Sequence, residues 1–412
     1  MKRMVALVML ALLAAACGGD STGGGGNKAS LGDIKIGALF PTTGSVATSG
    51  ADCLHGVELA ADILNGKYPN IDLPKLTVGK IVLDEADTQG DAQIGASNVD
   101  RLVNTDKVVA LTGAFQSAVT ITVAQRAERL GIPVVNGSSS SAALTEQGLK
   151  YFWRVGPSDR TFAETYFKWL ATQSAQHPVK KMVVIHENDQ FGNDGAKVIS
   201  ELAPAAGVQI TDVQYPFNAT DLTPQVQNMR QAAPDAVFVF AFINDLTLMY
   251  KTMAQLSYTP PIMLGFGAGY VDPKFIPNLA GKTDDAVTRA AWSLEVTQKN
   301  PTAKAVADAF KAKYGSDMTE NSARDFEAML TIGDAIEASG STDPAKLQAA
   351  INRTNLTKTI MAWQGIKFND KGQNSLAEGL IEQLQGGSYK VLFPQSAASA
   401  QVIWPIPAIS GH

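Results

Sequence analysis

Histidine is scarce in this 412-residue chain, and with it the usual machinery of catalysis. Of four histidines, His412 is terminal, His177 precedes Pro178, His186 ends an apolar run and His55 falls in a helical stretch. None stands beside a nucleophile motif: there is no G-x-S-x-G elbow, P-loop, H-E-x-x-H or paired-cysteine metal spacing. An enzyme is not expected, nor a metal or cofactor. Gly265, Gly267 and Gly269 lack the third glycine that would open a dinucleotide-binding helix. Positive charge is also short, with 34 Lys+Arg against 39 Asp+Glu and a net charge of −5. A nucleic-acid partner needs a basic patch to neutralise phosphates and is not expected. Long apolar runs are missing as well. Lys2 and Arg3 precede an apolar stretch that ends in Ala14-Ala15-Ala16-Cys17, about 13 residues where a membrane span needs about 20. This is the pattern of a signal peptide over residues 1–16.

What is present is a beat of β-α units. From Asp33 onward, short Val- and Ile-rich runs alternate with stretches of helical spacing, as in parallel sheets with crossover helices. Strands are predicted at 34–40, 81–83, 108–112 and 132–135, with helices near 91–104 and 118–130 between them. A second set follows, with strands at 182–186, 208–213, 236–241 and 262–264 and helices near 192–206, 221–232 and 244–256. Two successive sets of over a hundred residues each predict two similar lobes, since one core stops growing well below this length. After Thr288 the chain turns helical through 301–314, 320–338 and 343–352, then gives strands near 379–385 and 388–393. That tail is predicted to return and complete the first two lobes.

Ordered tracts carry a resemblance. They begin with Pro41-Thr42-Thr43-Gly44, Gly56-Val57-Glu58-Leu59-Ala60 and Leu83-Asp84-Glu85-Ala86-Asp87, and continue with Gly131-Ile132-Pro133-Val134-Val135 and Phe152-Trp153-Arg154-Val155-Gly156-Pro157-Ser158-Asp159. Pro234-Asp235-Ala236-Val237 and Gly365-Ile366-Lys367-Phe368 close the series. Together they resemble the branched-chain amino-acid binding family of type I periplasmic binding proteins, receptors of ABC importers. The resemblance implies an α/β fold of two Rossmann-like lobes with parallel sheets flanked by helices. It also implies three hinge crossings, near Pro157, Val287 and Ile360. The lobes are then 33–157 plus 288–360, and 158–287 plus 361–412.

Small residues ahead of Cys17 resemble the lipobox of bacterial lipoproteins. Cys17 is expected to carry lipid and residues 17–32 to form a Gly-rich tether, leaving Cys53 as a buried thiol with no disulfide partner. The expected role is an envelope-anchored monomer that binds a small molecule and passes it to permease subunits; the alternative is the ligand-binding component of an envelope sensory system.

The family's loops assign the site. The resemblance implies that hydroxyls at Ser117 and Ser140 bind a ligand carboxylate while the Ser138 carbonyl helps hold an ammonium; helix capping is the plainer alternative for both hydroxyls. Gly267 stands where the amino-acid binders carry the acid that pairs with the ammonium. Ser49 stands where a tyrosine is often found, and Phe191 replaces another. Phe115, Phe191, Phe242, Phe266 and Tyr270 are expected near the cleft mouth, which points to an apolar ligand body, with lobe core as their alternative role. Without an acid at 267, a standard amino acid needs Asp189 or Asp245 to supply the charge.

Overall fold

The computed structural model describes residues 30–280, 283 and 285–409. The signal segment and Cys17 lie outside the described residues.

The first sheet is built from β1 (Asp33–Phe40), β2 (Lys80–Asp87), β3 (Ala110–Gly113), β4 (Val134–Asn136) and β5 (Phe152–Arg154), all parallel in the order β2-β1-β3-β4-β5. The helices between them are α1 (Ala47–Leu64), α2 (Ala92–Arg101) and α3 (Ser117–Leu130). Next comes α4 (Asp159–Gln173), followed by β6 (Lys181–Glu187), α5 (Gln190–Leu202), β7 (Gln209–Tyr215), α6 (Thr223–Ala232), β8 (Ala236–Phe240), α7 (Ile243–Gln255) and β9 (Met263–Gly265). After the short α8 (Phe275–Asn278) and β10 (Val287–Ala290), the chain forms α9 (Pro301–Tyr314), α10 (Glu320–Ser339) and α11 (Pro344–Asn352), and ends with β11 (Leu380–Gln385) and β12 (Ser388–Phe393). The second sheet has the order β12-β11-β10-β9-β8-β6-β7, antiparallel only where β11 and β12 cover its edge.

Central strands of such sheets are buried on both faces, and all five residues of β8, Ala-Val-Phe-Val-Phe, are accordingly buried. The helices start where sequence chemistry lets them. Asp91, Ser158 and Asp189 accept from the first amides of α2, α4 and α5, and Thr319 opens α10 with a capping box completed by Ser322.

Two features depart from expectation. The sequence reading places no element over 152–173, yet β5 and α4 occupy it; α4 buries Phe162, Tyr166 and Trp169 at helical spacing. The lobe boundaries also shift. Thr288 pairs with Gly265 and Glu382, so β10 belongs to the second sheet rather than to the first lobe, because it supplies the free edge of β9 with a partner. Likewise Arg154 of β5 donates its amide to Gly372 at 2.8 Å and accepts from the Asn374 amide at 2.9 Å. The chain therefore passes between the sheets after β5, after β10, a few residues beyond Val287, and after Asn374 rather than near Ile360.

Candidate functional site

In doubly wound folds ligands bind beyond the carboxyl ends of the strands, where helix N-termini converge. Here loops at those ends face one another across the two sheets and enclose a small cavity. Phe115 and Ser117 come from the β3–α3 junction, and Ser138, Ser139 and Ser140 from the loop after β4. Phe191 opens α5, Phe242 precedes α7 and Ala268 follows β9, while Arg289 comes from β10 and Asn321 and Arg324 from the start of α10. Six sequence-predicted residues are thus brought together: Phe115, Ser117, Ser138, Ser140, Phe191 and Phe242. The cavity measures about 20 Å³, and one water needs about 10–15 Å³ on that measure. Contacts in and around it join the two lobes. The Phe115 and Phe242 rings lie 5.7 Å apart, the Ser49 hydroxyl donates to Asp272 at 2.5 Å, and the Ser141 hydroxyl donates to Asp194.

The electrostatics are set by two arginines that sequence reasoning missed. Arg289 and Arg324 are 2% and 1% exposed. Glu320 lies between them, accepting from the Arg289 guanidinium, from Arg324 at 3.3 Å and from the Ala291 amide at 2.6 Å. The Arg289 guanidinium also lies over the Phe162 ring, 3.9 Å from its centroid. Burial pulls Arg289 below its ordinary value and Glu320 opposes the pull; a guanidinium stays charged through neutral pH. Among the described residues that line the cavity, three buried N–H donors have no hydrogen-bond partner: Nε of Arg289, Nε of Arg324 and Nδ2 of Asn321. Unpaired buried donors are costly, and these three sit on residues of one cavity wall. Among the described residues no carboxylate lines the cavity. Asp159, whose amide donates to the Ser140 carbonyl at 2.7 Å, is pushed up to about 6 by burial, with Ser140 and Arg289 opposing.

Two glycines make this arrangement possible. A Cβ on Gly137 would come within 2.4 Å of an Asp325 oxygen and 2.6 Å of the Arg324 carbonyl, so only glycine lets the serine loop lie against α10. A Cβ on Gly267, whose φ is +69°, would come within 2.4 Å of Cζ of Arg289. The guanidinium fills the space a side chain would take at the position where the resemblance expects an acid. The Ser138 carbonyl, expected to help hold an ammonium, instead accepts from Arg324 at 2.7 Å. Both features for an ammonium are occupied by arginines.

The remaining expectations fall elsewhere. Phe266 is core: it stacks on Phe240 at 4.2 Å and packs on Tyr166 and Phe238, because its side chain projects into the second lobe. Gly267 does not line the cavity but makes room for Arg289. Ser49 ties the lobes together through Asp272 beside the cavity rather than in its wall. Tyr270 is buried against Phe275. Neither Asp189 nor Asp245 lines the cavity; Asp189 caps α5 at 2.8 Å and Asp245 accepts from the Asn218 amide at 3.1 Å. Cys53 is buried and free, as expected. The signal that could have exposed the arginines is the density of charge in α10, where Glu320, Arg324, Asp325 and Glu327 are all buried. A charged residue in the short strand β10 is a second such signal.

Among the described residues no helix is long and apolar enough to cross a membrane, and no cluster of His, Cys, Asp or Glu could hold a metal ion. A family described as periplasmic binding protein matches residues 33–377. The Leu/Ile/Val-binding protein homolog 8 of Brucella abortus is 27% identical over 384 residues, covering 91% of this chain and 94% of its own. The crystal structure of a leucine-binding protein from Thermotoga maritima superposes with a TM-score of 0.76 at 22% identity, covering 87% of this chain and 98% of that one. A solute-binding protein of an ABC transporter from R. palustris, in complex with benzoate, gives 0.75 at 18% identity over 92% and 98%. The chain belongs to the periplasmic binding protein family, in its branched-chain amino-acid-binding-like type I branch, whose members are substrate-binding proteins rather than enzymes.

Proposed function

We propose that this protein is the lipid-anchored solute receptor of an ABC importer, that it closes its lobes on a small organic carboxylate with an apolar body, and that it presents this ligand to a permease. One observation carries the ligand class. Among the described residues the cavity is lined by two guanidiniums and by no carboxylate, three N–H donors of Arg289, Arg324 and Asn321 are unpaired, and Arg289 occupies the space beside Gly267. Donors of that kind suit an oxyanion, and bidentate geometry is the particular strength of arginine. Ser117 and Ser140 line the same cavity and in this reading their hydroxyls turn to the ligand, while Phe115, Phe191 and Phe242 would cover the ligand body. A ligand ammonium would meet a positive wall instead: two like charges about 4 Å apart repel by roughly 4 kcal/mol at the effective dielectric of such sites. The benzoate complex of the R. palustris neighbour supports the reading, since the same fold there holds an aromatic carboxylate.

Titration calorimetry tests it. Leucine, isoleucine and valine should bind at least a hundredfold more weakly than the best of their 2-oxo acid counterparts and benzoate, the scale of about 3 kcal/mol. Micromolar binding of leucine would overturn the carboxylate reading. The anchor is tested separately: Cys17→Ala should move the protein from the detergent-extracted membrane fraction to the soluble envelope fraction, and unchanged fractionation would refute lipidation.

A further inference from the structure

A second cavity, of about 530 Å³, lies where the chain passes between the sheets. Its walls come from the segment after β10, the residues leading into α10, the segment before α8, and the β11–β12 hairpin. That volume is in the range of small-molecule sites. Trp292, Phe275 and Met318, all buried, provide an apolar wall, and Leu294, 43% exposed, stands at the rim.

The polar lining is opposite in sign to that of the cleft. Among the described residues it contains Asp272, Glu295, Asp317, Glu320 and Glu382 against Lys390 as the one cation. Most of these carboxylates are already engaged. Glu320 is held by the two arginines, Glu295 by Lys390 and the Val391 amide, Asp317 by Lys311, and Asp272 by Ser49. Glu382 is different. It projects from β11, is 3% exposed, and its Oε2 has no hydrogen-bond partner. A buried carboxyl oxygen left unpaired on a residue that lines a roomy, partly apolar cavity is costly unless the side chain turns to something brought into the cavity.

We propose that this cavity is a second ligand site, separate from the cleft, which binds a small protonated amine with an apolar body, Glu382 supplying the countercharge. Trp292 and Phe275 cover the ligand's apolar part, and the net negative lining excludes the carboxylates that the cleft takes. Burial pushes the Glu382 carboxyl well above the usual range; Glu320 and Glu295 add to the push, and Ser293 and Arg289 oppose it. An ammonium against Oε2 reverses the effect, so uptake of the amine releases a proton.

Benzylamine is the probe, with benzyl alcohol as its uncharged counterpart and benzoate as the cleft ligand. Titration calorimetry on the mature protein should show saturable benzylamine binding, with at least tenfold weaker binding of benzyl alcohol, the loss expected for a charged hydrogen bond. The observed heat should depend on the ionisation heat of the buffer, which reads the released proton. Glu382→Gln should weaken benzylamine at least tenfold and leave benzoate unchanged. Leu294→Lys, at an exposed position that does not endanger folding, should weaken it too by placing positive charge at the rim. The proposal is overturned if benzylamine gives no saturable heat at millimolar concentration, if Leu294→Lys or a folded Glu382→Gln protein binds it as wild type does, or if benzoate competes with it. Failure of benzoate to bind the cleft would leave these amine results unaffected.

Discussion

Replacing Arg289 by methionine should abolish useful affinity for the carboxylate ligand, by a hundredfold or more, and should also weaken the fold. Both effects follow from the placement of one side chain. The guanidinium accounts for one of the unpaired donors of the cleft, fills the space beside Gly267 and holds Glu320, which is 2% exposed. Loss of a charge-assisted hydrogen bond to the ligand removes about 1.5–3 kcal/mol of binding, and loss of the positive field removes more. Breaking a buried pair by deleting one partner costs about 3–5 kcal/mol of stability; Arg324, still 3.3 Å from Glu320, should hold the loss near the lower figure. Urea unfolding and calorimetry separate the two effects when Arg289→Met is compared with the Arg289→Met/Glu320→Gln double variant. The double variant should recover most of the stability and none of the binding. Wild-type affinity in either protein would remove Arg289 from the site.

Stability should rise as the solution is acidified from about pH 8 to about pH 5, contrary to the usual acid weakening of proteins. Among the carboxyls that burial raises, Asp52 and Glu327 are pushed up to about 7 and Asp159, Asp189 and Asp325 to about 6, each against hydrogen bonds or charges that pull the other way. In the unfolded chain these groups return to 3.8 for aspartate and 4.5 for glutamate. Between those values and the raised ones the folded protein holds protons that the unfolded chain releases, so stability falls as pH rises through the window. Each group contributes a slope of up to about 1.4 kcal/mol per pH unit where the folded state keeps its proton and the unfolded chain has lost it. One group works in the opposite direction. Burial lowers His55, so the unfolded chain takes up a proton there first on acidification, but it stands alone against the raised carboxyls. Below about pH 4 the lowered Asp87 and Glu295 begin to lose their stabilising charge, and the curve should turn over. Urea midpoints at pH 5, 6, 7 and 8 measure the trend. Glu327→Gln should raise stability at the alkaline end and flatten the curve; a midpoint that is constant or climbs across the window would defeat the account.

The fold was legible because parallel strands buried on both faces read as continuous apolar runs. The predicted strands at 236–241 and 262–264 coincide with β8 and β9 to within a residue or two. The serine and phenylalanine loops were legible because strand-end loops lie close to their strands in sequence. The arginines were not. Arg289 and Arg324 reach the cleft from elements late in the chain, and their meaning depends on which side chain lies opposite, which spacing does not encode. Gly267 shows the limit most clearly. Its sequence signal was a missing acid, and the structure shows the complementary fact, a guanidinium in the vacated space. The lobe boundaries were misplaced for a related reason. A strand as short as β10 is assigned by the edge it pairs with, and that edge belongs to β9.

The return of the chain also bears on the order in which the molecule is made. The Ser322 amide donates to Asp52 across 270 residues, the Arg154 side chain reaches Gln373 across 219, and β10 waits for β11, with Val287 opposite Gln383. Neither lobe has its full set of partners until the last part of the polypeptide has been synthesised. Contacts this distant close slowly, because loop entropy must be overcome before the contacts form. A nascent chain with such wiring stays loosely structured for most of its synthesis. Ending the chain just ahead of β11 should therefore leave the second sheet without the partner of β10, while the first lobe keeps the contacts that Ser322 and Gln373 make to Asp52 and Arg154.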